Sequence, residues 1–450
     1  MQNMPFAHLH LKPDSHNMLS GYFHRREGDF IMQEKTIVYN TSLGAVRGIE
    51  TEHCVQFLGV PYARASRFDY AAPVEHWDGE LDATAFGPAC PQNRAVHEHL
   101  ENPTRRFYKK EFREGQSFRY DEECLNLNIY APKGAQGCPV VLFFHGGGFD
   151  SGMNSEGPFD GSKLAGRGIV TVFANYRLGV LGYLTHEEIR RRTGRDGNFG
   201  LDDQLTAVRW VKAHIADFGG DGENITLLGQ SAGAISIQDL CLNPDHKGLF
   251  QRAAMMSGGG CKSFDELCAA PLERLFDAVE EIKKARKDNL YNTMPVVDGL
   301  LIPDTLDKLM KNPLPIDYML GFTNADMYAP FLAYIGRRFG KQNGAYLYYF
   351  DLDAPGDDNR AFHSSDLRYA FETLDRSWRP YGARDREAAV ELASYLVNFA
   401  RSGDPNGPGL PRWNKAEKGV LRIAPGGTKM GHVNYWKLTR NFIRRPDPKA

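Results

Sequence analysis

The chain has 450 residues, 42% of them hydrophobic, which is enough to bury a large core. Its formal net charge is −2, so no field of one sign points to nucleic acid or to an acidic membrane surface. No apolar run approaches the roughly 18 residues that cross a bilayer. The first thirty residues, with His8, His10, Lys12, Asp14, His16, Arg25 and Arg26, lack the apolar centre of a secretory signal. The expectation is a cytoplasmic protein without nucleic-acid or membrane partners. Residues 1–32 read as a disordered extension or a mis-called start, and residues 33–450 as one domain.

Past Lys35, strands alternate with helices. Thr36 to Tyr39 and Gly44 to Glu50 predict an opening hairpin. Pro139 to Phe144 and Ile169 to Ala174 are unbroken apolar runs, the pattern of strands covered on both faces. Leu205, Val208, Val211 and Ile215 recur with a helical period. Asn224 to Leu228 predicts a further buried strand, and Arg252 to Ser257, Tyr318 to Thr323 and Ala345 to Leu352 three more. Ser263-Phe264-Asp265-Glu266 is a capping box that opens a helix toward Glu281, trailed by a charged, solvated end at Lys283 to Asp288. A long helix over Asp385 to Ser402 stops at Gly403 and Pro405. This alternation implies an α/β fold built on a mostly parallel sheet wrapped by helices.

Seven cysteines are an odd number, so at least one thiol is unpaired. None has zinc-ligand spacing, and most read as small buried hydrophobes.

Two segments carry chemistry. Gly229-Gln230-Ser231-Ala232-Gly233 stands between the strand at Asn224 to Leu228 and a helix-forming stretch, Ala234 to Leu240. A sharp strand-to-helix turn of this kind exposes its central serine hydroxyl. His145-Gly146-Gly147-Gly148-Phe149 follows the Pro139 to Phe144 strand, and its glycines let backbone N–H groups converge on a bound oxygen. No Lys-Ser or Lys-Thr follows it, which excludes a phosphate-binding P-loop and leaves a tight structural turn as the alternative.

A serine nucleophile needs a base and a group to orient that base. Three histidines follow Ser231. His246 sits in a turn and reads as a surface residue, and His432 lies beyond the last core helix. His363 follows the Ala345 to Leu352 strand through a polar loop, at the carboxyl end of the sheet where sites form; a solvated loop histidine is the alternative. Asp326 follows the Tyr318 to Thr323 strand by three residues and is the best-placed acid. Asp298, Asp304, Asp353 and Asp357 occupy less constrained loops.

From about Thr36 to Trp413 the chain resembles the type B carboxylesterases, the cholinesterase-like branch of the α/β-hydrolases. The motifs that carry the resemblance are Phe57 to Ala63, Glu123 to Tyr130, His145 to Phe149, Asn175 to Gly179, Gly197 to Gln204 and Phe218 to Asp221. It implies the α/β-hydrolase fold in a single catalytic domain, and Ser231, His363 and Asp326 as nucleophile, general base and acid, and orienting acid. It further implies an oxyanion hole from Gly147, Gly148 and Ala232, with Gln230 and Ser236 supporting the triad. The substrate would be a small ester, cleaved through an acyl-enzyme without cofactor or metal. Amides, carbamates and lactones suit the same triad, and the family also contains adhesion proteins that lack the nucleophile.

Four features depart from the family pattern. Gln230 stands where glutamate is usual, and Asp326 where the acid is usually glutamate. Only 37 residues separate Asp326 from His363, which predicts a reduced cap over a more open pocket. Cys90 and Cys124 match a family disulfide, but no tryptophan lies between them, so a choline-binding platform is absent. In a reducing cytoplasm this pair is expected as thiols.

Overall fold

A computed structural model describes residues 35–92, 103–259, 294–326, 344–416 and 419–432. The expected N-terminal extension, the helix from Ser263 and residues 327–343 of the segment between Asp326 and His363, which bears on the cap, lie outside them.

Among the described residues, twelve strands run through one sheet. They are β1 (Lys35–Thr41), β2 (Gly44–Glu50), β3 (Val55–Pro61), β4 (Asn126–Ala131), β5 (Cys138–Phe144) and β6 (Val170–Ala174), followed by β7 (Gly220–Gln230), β8 (Arg252–Met256), β9 (Asp317–Thr323), β10 (Ala345–Phe350), β11 (Val420–Ala424) and β12 (Gly427–Gly431). Their spatial order is 1-2-3-4-6-5-7-8-9-10-11-12, and a short strand, Glu80–Asp82, adds to β2. The stretch from β6 through β11 is parallel, with antiparallel pairs at both ends. Its order reverses at β5 and β6, so the loops at the carboxyl ends of β5 and β7 open into a crevice.

The apolar runs are strands buried on both faces. Val140, Leu142 and Phe144 point into one core, while Val141 and Phe143 point into a second on the opposite face. Helices α2 (Phe199–His214) and α3 (Ala232–Cys241) cover the first face through Leu205, Val208, Ile237 and Leu240. Helix α4 (Ala383–Ser402) covers the second through Leu392, Leu396 and Phe399. The sheet is thus a septum between two apolar cores. Among the described residues no helix is long and apolar enough to cross a membrane.

Three expectations need correction. Strand β7 begins at Gly220, four residues before the predicted start, through a register irregularity that the polar stretch to Asn224 disguises. His246 is buried rather than on the surface, because a short turn folds it back until its Nδ1 lies 3.0 Å from the carbonyl of Leu240. Cys90 and Cys124 are joined as a disulfide rather than free; their Cα atoms stand 4.9 Å apart, within the span such a bond bridges. The loop it closes carries a helix that no apolar period announced: α1 (Pro103–Arg113), which precedes the others named here and is called αL below for its place in that loop.

Candidate active site

The site grows from the turn between β7 and α3. Ser231 has φ 53° and ψ −120°, a left-handed conformation that costs a non-glycine residue about 1–3 kcal/mol unless its surroundings impose it. Here they do. The Ser231 N–H donates to the carbonyl of Met256 at 2.9 Å, and the Ser231 carbonyl accepts from the N–H of Ile235 at 3.0 Å. Position 233 must be glycine, since a Cβ there would lie 2.1 Å from the carbonyl oxygen of Phe144. That close approach packs the start of α3 against the end of β5 and draws the glycine loop next to Ser231.

Within the loop, Gly147 has φ 116° and Gly148 has φ 65°. A side chain on Gly147 would meet the Ser151 carbonyl at 2.0 Å, so only bare backbone passes here. His145 is not exposed to substrate. It is buried, stacks on Tyr176 at 4.5 Å and receives at its own carbonyl the Tyr176 hydroxyl at 2.8 Å. Burial pushes its imidazole down to about 4, so it is neutral and structural.

His363 and Asp326 arrive from loops at the carboxyl ends of β10 and β9. His363 Nδ1 lies 3.2 Å from Asp326 Oδ1; the Asp326 side chain is fully buried, whereas that of His363 is 23% exposed. The other ring nitrogen, Nε2, is 3.1 Å from the side-chain nitrogen of Gln230, the residue before Ser231. Burial alone would lower the His363 pKa, but Asp326, and behind it Asp366, more than offset this and leave it above its ordinary value. Ser231, His363, Gln230, Gly147 and Gly148 line one cavity of about 260 Å³. Tyr108, Phe112, Phe118, Tyr120 and Phe159 form its aromatic wall.

Of the residues singled out in the sequence, Ser236 stands apart. Its hydroxyl donates to the carbonyl of Ala232 at 3.2 Å and is spent inside α3. Ala232 begins α3, its methyl packed with Phe149 and Tyr183. Two residues near the site went unnoticed. Asp366, fully buried three residues past His363, accepts from the Tyr348 hydroxyl at 2.7 Å. Burial, with the nearby Asp326 charge, raises its pKa to about 6 against the pull of the tyrosine hydrogen bond. Its spacing from His363 was the available signal. Tyr108, on αL, donates to the His363 carbonyl at 3.3 Å and ties the disulfide loop to the imidazole's backbone.

The model of the carboxylesterase family matches residues 35–266 and 327–436. The chain belongs to that family. This carboxylesterase is a carboxylic ester hydrolase with the α/β-hydrolase fold. It is 28% identical over 460 residues to the para-nitrobenzyl esterase of Bacillus subtilis (strain 168), covering 82% of this chain and 90% of that protein. It is also 33% identical over 357 residues to neuroligin-2 of Mus musculus, covering 65% of this chain and 42% of that one. In structure it is similar to a PNB esterase, with a TM-score of 0.73 and 24% identity over 91% of this chain and 99% of the other.

Proposed function

We propose that this carboxylesterase cleaves uncharged carboxylic esters through an acyl-serine, with Ser231 as nucleophile, His363 as general base and acid, and Asp326 as the acid that orients it. The observation that carries the reading is the convergence of a strained, cavity-lining serine with a histidine whose Nδ1 lies 3.2 Å from a fully buried carboxylate. A carboxylate only accepts, so Nδ1 bears the proton and Nε2 keeps the lone pair that can take a proton from serine.

In the first half-reaction Ser231 Oγ bonds to the ester carbonyl carbon as its proton passes to His363 Nε2. The carbonyl electron pair moves onto oxygen, held by the N–H groups of Gly147, Gly148 and Ala232. Losing one such donor costs about 3 kcal/mol of transition-state stabilisation. Collapse breaks the bond to the alcohol oxygen, which leaves with the proton from His363. Water then gives a proton to His363 and attacks the acyl carbon, and Ser231 regains its proton as the acid departs. The aromatic wall suits apolar acyl or aryl groups, in keeping with the para-nitrobenzyl esterase relative.

Replacing Ser231 by Ala tests the reading. Turnover of a p-nitrophenyl acyl ester should fall by a factor on the order of 10³ or more, and labelling by a fluorophosphonate probe should vanish. Retained turnover would sink the assignment.

A further inference from the structure

We propose that Gln230 is a positioning residue for His363, donating its side-chain amide to Nε2 and holding the imidazole in the neutral form that faces Asp326. This rests on the reading of His363 as the base.

The geometry places the amide between the glycine loop and the ring. Gln230 closes β7 immediately before the strained Ser231 and is only 3% exposed. Its Oε1 lies on the side of Gly146, where a Cβ would stand 2.5 Å away, and its Nε2 points at the ring 3.1 Å off. One end of the amide therefore rests on the glycine loop and the other on the imidazole. With Nδ1–H directed at Asp326 Oδ1, a neutral ring presents a lone pair at Nε2, and only a donor complements it.

The charges around the ring give that donor its importance. Asp326 faces His363 from the loop after β9, and Asp366, held by Tyr348 of β10, from His363's own loop. From αL come Tyr108, Lys109 and Arg113, the last paired with Glu156 at 2.7 Å; His145 in the glycine loop is neutral. The two aspartates favour the imidazolium, which cannot accept the serine proton. The Gln230 amide favours the neutral ring and opposes them. It also occupies the lone pair that Ser231 must reach, so the hydroxyl takes the amide's place at Nε2 as the ester is engaged.

The test uses the full chain with Gln230→Ala and Gln230→Glu, each checked for folding by thermal melting. The acid limb of kcat/KM for a p-nitrophenyl ester should move up by about half to one pH unit in Gln230→Ala, the worth of one hydrogen bond to the neutral form. Gln230→Glu should move it further. The His363 ring, titrated by NMR in a Ser231→Ala background, should shift in step without any need for turnover. An unmoved limb, or a downward shift in Gln230→Ala, would overturn the proposal. Activity surviving His363→Ala would instead overturn the assignment of the base, so the two failures are distinct.

Discussion

The ring of Tyr348 lies across the bare backbone of Gly321, its register partner on β9, so closely that a Cβ at 321 would stand 1.8 Å from the carbon bearing the hydroxyl. Only glycine lets the tyrosine cross the strand and deliver its hydroxyl to Asp366 at 2.7 Å. Gly321→Ala should therefore expel the ring. The overpacking costs about 1–3 kcal/mol, read as a lowered melting temperature, and kcat should fall because Asp366 and the His363 loop lose their anchor. Tyr348→Phe separates the two effects. It keeps the packing, removes the hydrogen bond, and should change the pH profile more than the stability.

Asp366 makes a pH-dependent contribution whose sign is fixed by its raised pKa. A carboxyl at about 6 when folded, against an ordinary 3.8, binds its proton more tightly in the folded protein. Folding stability from this group thus falls as pH rises from about 4 through 6, when a buried charge must form. Asp366→Asn removes that penalty. The melting temperature of the variant relative to the parent should be more favourable at about pH 8 than at about pH 5. The same variant removes one of the two carboxylates that raise the His363 pKa, so the acid limb of kcat/KM should move down. An unmoved limb would mean that Asp366 does not act on the imidazole.

Much of the scaffold was legible because the parallel strands are sealed on both faces. Val140 to Phe144 and, apart from the buried Thr171, Val170 to Ala174 have no polar side to present, and so read as apolar runs. The strained turn at Ser231 was legible because its glycines follow from close backbone contacts that any sequence must respect. What stayed hidden was tertiary. His246 looks like a turn residue until the chain folds it onto Leu240. Ser236 and Asp366 are both short polar residues close to a catalytic candidate. Only the fold shows that the first hydroxyl bonds its own helix while the second carboxyl is driven under Tyr348. Helix αL is rich in lysine and arginine, and some of its partners, at His363 and Arg379, lie more than two hundred residues away.

Asp326 is the site residue on which the proposed mechanism leans through geometry alone. Asp326→Asn preserves size but replaces an acceptor-only group with an amide that can present a donor to Nδ1. The imidazole is then free to take the other tautomer, with Nε2 protonated and useless as a base. A fall in kcat of around 10⁴-fold is expected, with a smaller change in KM. Wild-type kcat would transfer the orienting role to another carboxylate, and Asp366 is the nearest to hand.

Glu111 of αL meets Arg379 in the protein interior, where the helix packs beside the loop that carries His363. Both side chains are almost wholly buried, and Glu111 accepts from Arg379 at 2.8 Å and from the Trp378 indole at 3.0 Å. Arg379 also donates to Asp357 and to the carbonyl of Pro355, and its guanidinium faces the ring of Phe362, the residue before His363. Phe362 in turn packs edge-on against Phe107 of αL at 5.0 Å, next to the Tyr108 that donates to the His363 carbonyl. Glu111→Ala leaves a buried guanidinium short of one anion, a loss of about 3–5 kcal/mol. Because the helix and the histidine loop share these contacts, kcat should fall with the melting temperature, while Glu111→Gln, which keeps an acceptor for the indole and the guanidinium, should lose less of both. If Glu111→Ala melts earlier yet turns over ester at the parental rate below its melting point, the pair supports the fold without setting the position of His363.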